Sequence, residues 1–223
     1  MMRYSKNEKM LTPEENKSLK NFRVAVIGCG GLGGYCIEML ARLGIGSIVC
    51  VDGDVFDESN LNRQLLSEEA LIGHSKAGTA KKHVAKINSK VQVMAFDEML
   101  TEKNYQRIIE RCDVLVDAVD SIDTKLFLQN ICEKLNLPLV HGAIGGWYGQ
   151  VSTVLPGDRT LDLVYKNKKS IEKELGNPSF TPGTIASIQV AEVLKVLLNK
   201  GDILTKKLLF IDLLNHDYEV LEF

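Results

Sequence analysis

The stretch FRVAVIGCGGLGGYCIEMLARLGIGSIVCVD, residues 22–52, decides the fold. It opens on a short apolar run, 22–28, closed by glycine, as in a strand buried on both faces of a parallel sheet. Leu32, Tyr35, Cys36, Met39, Leu40 and Leu43 then recur at helical spacing, giving an amphipathic helix stopped by Gly44. Residues 46–52 form a second buried strand, so the unit is strand, helix, strand, the start of a doubly wound α/β fold. Inside it, GCGGLGG (28–34) satisfies G-x-G-x-x-G through Gly28, Gly30 and Gly33, with Gly31 beside them. These glycines permit a tight turn and close backbone approach, and the helix N-terminus offers free N–H groups to phosphate. Asp52, ending the second strand, is placed to hydrogen-bond ribose hydroxyls. Taken alone, the motif leaves NAD, FAD and ATP open.

The alternation continues outward. Residues 75–88, 101–110 and 121–136 read as helices, and 91–96, 113–119 and 137–143 as strands. An extended segment, 148–157, is expected to run antiparallel, and 184–198 forms a long apolar helix in which Ile188, Val193 and Leu197 are core. The tail from Lys207 reads as a hairpin at the far edge of the sheet. The expected architecture is a Rossmann-like, mostly parallel sheet with antiparallel C-terminal strands, forming one nucleotide-binding domain over 1–223. Residues 1–21 are an N-terminal arm. Residues 156–182 are polar, with Gly176, Asn177, Pro178 and Pro182 as breakers, and read as a mobile crossover loop.

Composition narrows the function classes. Of 223 residues, 45% are apolar and 25% charged, with a formal net charge of −2, so no general polyanion-binding surface is implied. No apolar run has the length of a membrane span, and the polar N-terminus lacks a signal peptide's apolar core, which points to the cytoplasm. Cys29, Cys36, Cys50, Cys112 and Cys132 form no C-x-x-C pair and read as buried, reduced thiols.

The residues after Asp52 separate the nucleotides. Asp54, Asn60, Arg63 and Gln64 follow at once in VDGDVFDESNLNRQLL (51–66), and GHSKAG carries Lys76. They emerge at the carboxyl edge of the sheet, where open α/β folds bind ligands. Hydride transfer needs no extra cation near the phosphates. Nucleotidyl transfer does, because charge builds on the α-phosphate and on departing pyrophosphate. Arg63 and Lys76 supply cations, and Asp120, in DAVDSIDTK (117–125), offers the carboxylate that phosphate-bound Mg²⁺ requires. Together they favour ATP.

The pieces RYS (3–5), GCGGLGG, VDGDVFDESNLNRQ, GHSKA, DAVDSIDTK and GQVSTVLPG, in this order, resemble the ThiF/MoeB/HesA family, bacterial relatives of the ubiquitin-activating enzymes. The similarity runs from Arg3 to about Gly157 and resumes at 184–198; S-N-L-x-R-Q is its most specific part. The resemblance implies an ATP–Mg²⁺ adenylyltransferase acting on a small ubiquitin-like sulfur-carrier protein, whose C-terminal Gly-Gly carboxylate attacks the α-phosphate. It implies that Asp52 holds the ribose, that Asn60, Arg63, Gln64 and Lys76 contact the triphosphate, and that Asp120 takes the magnesium. It also implies a homodimer.

Three departures stand out. The paired C-x-x-C motifs that hold structural zinc in many members are missing, so zinc is not expected. The crossover loop has no cysteine, which removes a persulfide or thioester step and leaves sulfur delivery to another protein. Lys6 stands where a second arginine often reaches the partner subunit's site, and Lys125 where an arginine is common; lysine keeps the charge but not the planar fork. A trans contact by Lys6 is one reading, a solvated charge the other. His141 reads as a hydrogen-bonded structural histidine, and Trp147 and Tyr148 either line a channel for a Gly-Gly tail or belong to the core or a dimer interface. Competing functions are a tRNA threonylcarbamoyladenosine dehydratase, disfavoured by the negative net charge, and a non-catalytic nucleotide-binding relative.

Overall fold

The computed structural model describes residues 2–166 and 175–223. In chain order the regular elements are α1 (Pro13–Ser18), β1 (Arg23–Ile27), α2 (Gly31–Leu43), β2 (Ser47–Val51), α3 (Lys76–Ile87), β3 (Gln92–Phe96), α4 (Tyr105–Ile109), β4 (Val114–Asp117) and α5 (Ile122–Lys134). They continue with β5 (Leu139–Gly145), β6 (Tyr148–Val154), α6 (Thr160–Val164), α7 (Phe180–Leu198), β7 (Lys207–Asp212) and β8 (Asp217–Glu222). One eight-stranded sheet has the order β3-β2-β1-β4-β5-β6-β7-β8. Strands β1 to β5 pair in parallel, and β6, β7 and β8 follow antiparallel.

Alternate residues of each central strand feed two cores. Val24 and Val26 pack with Ile37, Leu40, Ile185 and Val193 under α2, α3 and α7. Ala25 and Ile27 pack with Ile109, Leu128, Ile131 and Leu161 under α4, α5 and α6. This two-sided burial explains why the strands read as unbroken apolar runs instead of alternating ones. Strand order reverses between β1 and β4, so a crevice opens at their carboxyl ends.

Two expectations need correction. The last helix starts at Phe180, not 184: Pro182 sits in its first turn, where no intrahelical N–H bond is lost, and so does not break it. Within it Val193 is fully buried, whereas Ile188 and Leu197 pack at the margin of the core. The segment 156–182 is not loop throughout: Thr160–Val164 form α6, tied to α5 by Gln129 Oε1 accepting from Leu161 N at 3.0 Å. The expected mobile part includes residues 167–174, which lie outside those described. The tail hairpin and the antiparallel run after β5 stand as the sequence predicts.

Candidate nucleotide site

The crevice between β1 and β4 is a cleft of about 250 Å³, lined among others by Gly28, Gly30, Gly31, Asp52, Asp54 and Arg63. Its floor is the glycine turn. Gly28 has φ +91°, a conformation side chains rarely adopt, and a Cβ there would lie 2.6 Å from Ala118 O. Gly33 does not line the cleft; it lets α2 close on the turn, since its Cβ would meet Gly28 O at 1.8 Å. The first turn of α2 starts at Gly30 without a side-chain cap, so its N–H groups remain available at the cleft.

Asp52 is 8% exposed, and its carboxylate accepts from Cys29 N at 2.7 Å and Asp54 N at 2.8 Å. Burial raises its pKa, opposed by those two N–H bonds and by the Lys76 charge. All five cysteines are free; the neighbouring Cys50 thiol and burial push the Cys29 thiol well above its ordinary pKa. Lys76 opens α3 behind Ser75, which caps the helix through Gly78 N, and its buried ammonium lies 3.4 Å from Asp54 Oδ2. Arg63 donates from Nη1 to Ser59 O at 2.7 Å and Asn62 Oδ1 at 2.9 Å, which holds its fork at the rim with other donors left over. Gln64 is 7% exposed, and its Oε1 is buried without a hydrogen-bond partner, an orphaned acceptor in the cleft wall. Asp120 is exposed at the cleft and makes no hydrogen bond or ion pair among the described residues.

Two sequence candidates stand elsewhere. Asn60 does not line the cleft: its Oδ1 accepts from Asp57 N at 3.2 Å, while its backbone oxygen accepts from Arg63 N and Gln64 N. It shapes the loop that presents those two residues. Lys6 is exposed within Met2–Asn7, an arm that packs at the opposite edge of the sheet, where Tyr4 covers Gly44. In the same chain it is remote from the cleft. Trp147 and Tyr148 do not line it either; Trp147 packs tilted against Phe180 and Tyr148 stacks on Phe210, with centroids 4.6 and 5.9 Å apart. Sequence reasoning missed Glu98, Met99 and Leu100, which line the cleft after the carboxyl end of β3. The strand-end rule that found Asp52 would have found them.

Beneath the cleft lies a buried polar network. Lys125 and Asp117 are 2% and 0% exposed, and Lys125 Nζ donates to Asp117 Oδ1 at 3.2 Å, Val119 O at 2.5 Å and Gly142 O at 2.9 Å. His141 Nδ1 lies 2.6 Å from Asp117 Oδ2, and its Nε2 lies 3.1 Å from the Tyr165 hydroxyl. Burial would raise the Asp117 pKa, but the Lys125 charge and the His141 bond outweigh it and hold it low. Burial likewise lowers the pKa of His141, so it is a neutral imidazole donating through Nδ1 and accepting at Nε2. His141 is thus the hydrogen-bonded structural residue expected.

A glycine turn, a strand-end carboxylate and two cations meeting at the switch point of a doubly wound sheet define a nucleotide-binding α/β protein. The chain belongs to the ThiF family, which matches residues 4–223. It is 33% identical over 228 residues to the SAMP-activating enzyme E1 of Haloferax volcanii, covering 99% of this chain and 84% of that protein. It is 33% identical to a probable molybdopterin-synthase adenylyltransferase of Porphyra purpurea and 31% identical to the adenylyltransferase and sulfurtransferase MOCS3-1 of Zea mays. It spans 56% and 47% of their lengths. Among solved structures it superposes on E. coli MccB bound to MccA-N7isoASN with a TM-score of 0.84, at 22% identity, over 99% of this chain and 71% of that one. A further MccB structure contains ATP, with a TM-score of 0.80, 22% identity and coverage of 99% and 70%. At this identity the likeness is one of fold.

Proposed function

We propose that this chain is an ATP-dependent adenylyltransferase that activates the C-terminal Gly-Gly carboxylate of a small ubiquitin-like sulfur-carrier protein and works as a homodimer in the cytoplasm. The observation that carries the reading is that Arg63 and Lys76 line one cleft with the glycine turn, Asp52 and Asp120. Its support is the ThiF family match and the adenylyltransferase and activating-enzyme names of the relatives. The tight turn at Gly28 and the uncapped N-terminus of α2 suit a phosphate held against the turn, and the orphaned Gln64 Oε1 suits a hydrogen-bond donor of the nucleotide, a hydroxyl or an amine.

In the reaction, a carboxylate oxygen of the carrier forms a bond to the α-phosphorus while the bond to the bridging oxygen breaks, giving acyl-adenylate and pyrophosphate. Asp52 holds the ribose. The α2 N-terminus, Arg63 and Lys76 offset the charge that grows on the phosphates, and Gln64 orients them. Asp120, an exposed carboxylate without a partner among the described residues, suits Mg²⁺, which when bound neutralises phosphate charge. The attacking carboxylate is already an anion at neutral pH, so the residues need supply no strong general base. Sulfur is then delivered to the activated carrier by a separate donor protein, for a thiamine-type or molybdopterin-type pathway.

The test is ATP–pyrophosphate exchange with Mg²⁺ and purified Gly-Gly-terminated carriers. Exchange that needs a carrier and disappears in Arg63→Ala and Asp120→Ala is the expected result. Silence with every carrier despite ATP binding would overturn the choice of substrate. Mixing Lys6→Ala with Arg63→Ala protein tests the shared site: a hybrid dimer with Lys6 acting in trans regains exchange, and no recovery would remove Lys6 from the site.

A further inference from the structure

Among the described residues the exposed carboxylate Asp120 has no side-chain partner, so its position depends on the backbone that carries it. That backbone is the turn between β4 and α5. The Lys125 ammonium reaches it from inside, bonding the Asp117 carboxylate at the end of β4, the Val119 carbonyl at 2.5 Å and the Gly142 carbonyl of β5 at 2.9 Å. The Val119 carbonyl belongs to the very peptide unit that joins Val119 to Asp120. Asp117 closes the turn from its other side, accepting from Val119 N at 3.2 Å. Every N–H of the ammonium is used, and each bond ends on a group that frames the turn.

We propose that Lys125 is a positioning residue for Asp120: it sets the Val119–Asp120 peptide and thereby aims the Asp120 carboxylate at phosphate-bound magnesium. The opposite side of Asp117 is held by His141, which is fixed in turn by Tyr165. A single cation therefore couples β4, β5 and the cleft rim. Lys125 does more than neutralise Asp117, because two of the three groups it bonds are neutral carbonyls. It rests on the adenylation reading only in taking Asp120 as the magnesium carboxylate.

The test is calorimetric ATP binding with and without Mg²⁺, on Lys125→Met alone and combined with Asp120→Asn. With Mg²⁺ present, Lys125→Met weakens ATP by about 10- to 100-fold, the usual cost of losing a residue that orients a metal ligand. Without Mg²⁺, affinity stays within about twofold of the parent. In the Asp120→Asn background Lys125→Met costs nothing further, whereas a merely structural role would cost the same factor in both. Lys125→Arg, which keeps charge and several donors, restores the Mg²⁺ effect. Should Lys125→Met fail to fold, Lys125→Met/Asp117→Asn removes the buried charge along with its partner, and the same loss of the Mg²⁺ effect is expected of it. Loss of metal-free ATP binding, or additive effects with Asp120→Asn, would overturn the proposal. Binding is read without a carrier, so failure of the adenylation reading, seen as absent exchange, is a separate result.

Discussion

Gly33 and Gly34 are adjacent, both lie in α2 and both are buried, yet substitution by alanine should separate them sharply. At Gly33 the added Cβ would lie 1.8 Å from Gly28 O and 2.8 Å from Gly28 C, both backbone. A real contact needs at least about 3 Å, so α2 must retreat from the glycine turn by roughly 1 Å, against a close-packed interior. Overpacking of this kind costs typically 1–3 kcal/mol, and the better helix propensity of alanine returns about 1 kcal/mol. Because the clash is with backbone at 1.8 Å, the upper end of that range applies, about 3 kcal/mol, and the net loss of about 2 kcal/mol lowers the melting temperature by roughly 4–8 °C in a chain of this length. The same retreat moves the α2 N-terminus and Gly28 away from the phosphates, and a misplacement of about 1 Å in a positioned site costs on the order of 10²-fold. At Gly34 the Cβ would meet Leu66 Cγ at 3.4 Å and Leu65 Cβ at 3.8 Å, ordinary contacts with side chains. Gly34→Ala should therefore change stability by less than about 1 kcal/mol and leave ATP binding intact. Thermal melts and calorimetric ATP titration of both variants decide the matter. Equal behaviour of the two, or normal ATP binding by Gly33→Ala, would refute the reasoning.

Two further outcomes follow from buried polar groups. Gln64→Met removes a buried acceptor that has no partner, so the ligand-free protein should gain up to about 1–3 kcal/mol in stability while ATP affinity falls; a lower melting temperature would refute it. His141 sits below its ordinary pKa of 6.5 through burial, so the unfolded chain takes up its proton first on acidification. Its contribution to stability is complete above pH 6.5 and declines as pH falls below it, by up to about 1.4 kcal/mol per pH unit. Denaturant titrations from pH 8 to 5 should show this slope in the parent and a flatter one in His141→Gln. Parallel slopes would sink the assignment. Asp117, held below its ordinary 3.8, adds a second loss only at still lower pH.

Local chemistry made part of this site legible. The spacing of Gly28, Gly30 and Gly33, the apolar strands and the strand-end Asp52 follow from rules linking near neighbours, and the cleft forms around Gly28, Gly30 and Asp52. Arg63, Gln64 and Lys76 were readable because they leave the same sheet edge shortly after a strand. Asn60, expected to contact the triphosphate, turns its side-chain oxygen to Asp57 N, a direction set by the local hydrogen bonds of the turn that no spacing rule supplies. The start of α7 escaped because proline reads as a breaker until its place in a first turn is known.

By itself, then, the sequence determined the strand–helix–strand unit and the class of ligand it faces, since both depend on contacts between residues close in the chain. Only the tertiary structure decided which glycine bears the closest approach, because Gly28 O is brought onto Gly33 by the packing of α2. It alone also decided that Lys125, Asp117, His141 and Tyr165 form one buried network. Those four residues meet because β4 and β5 pair in parallel while α5 and the end of α6 pack around them, a register that no local pattern encodes.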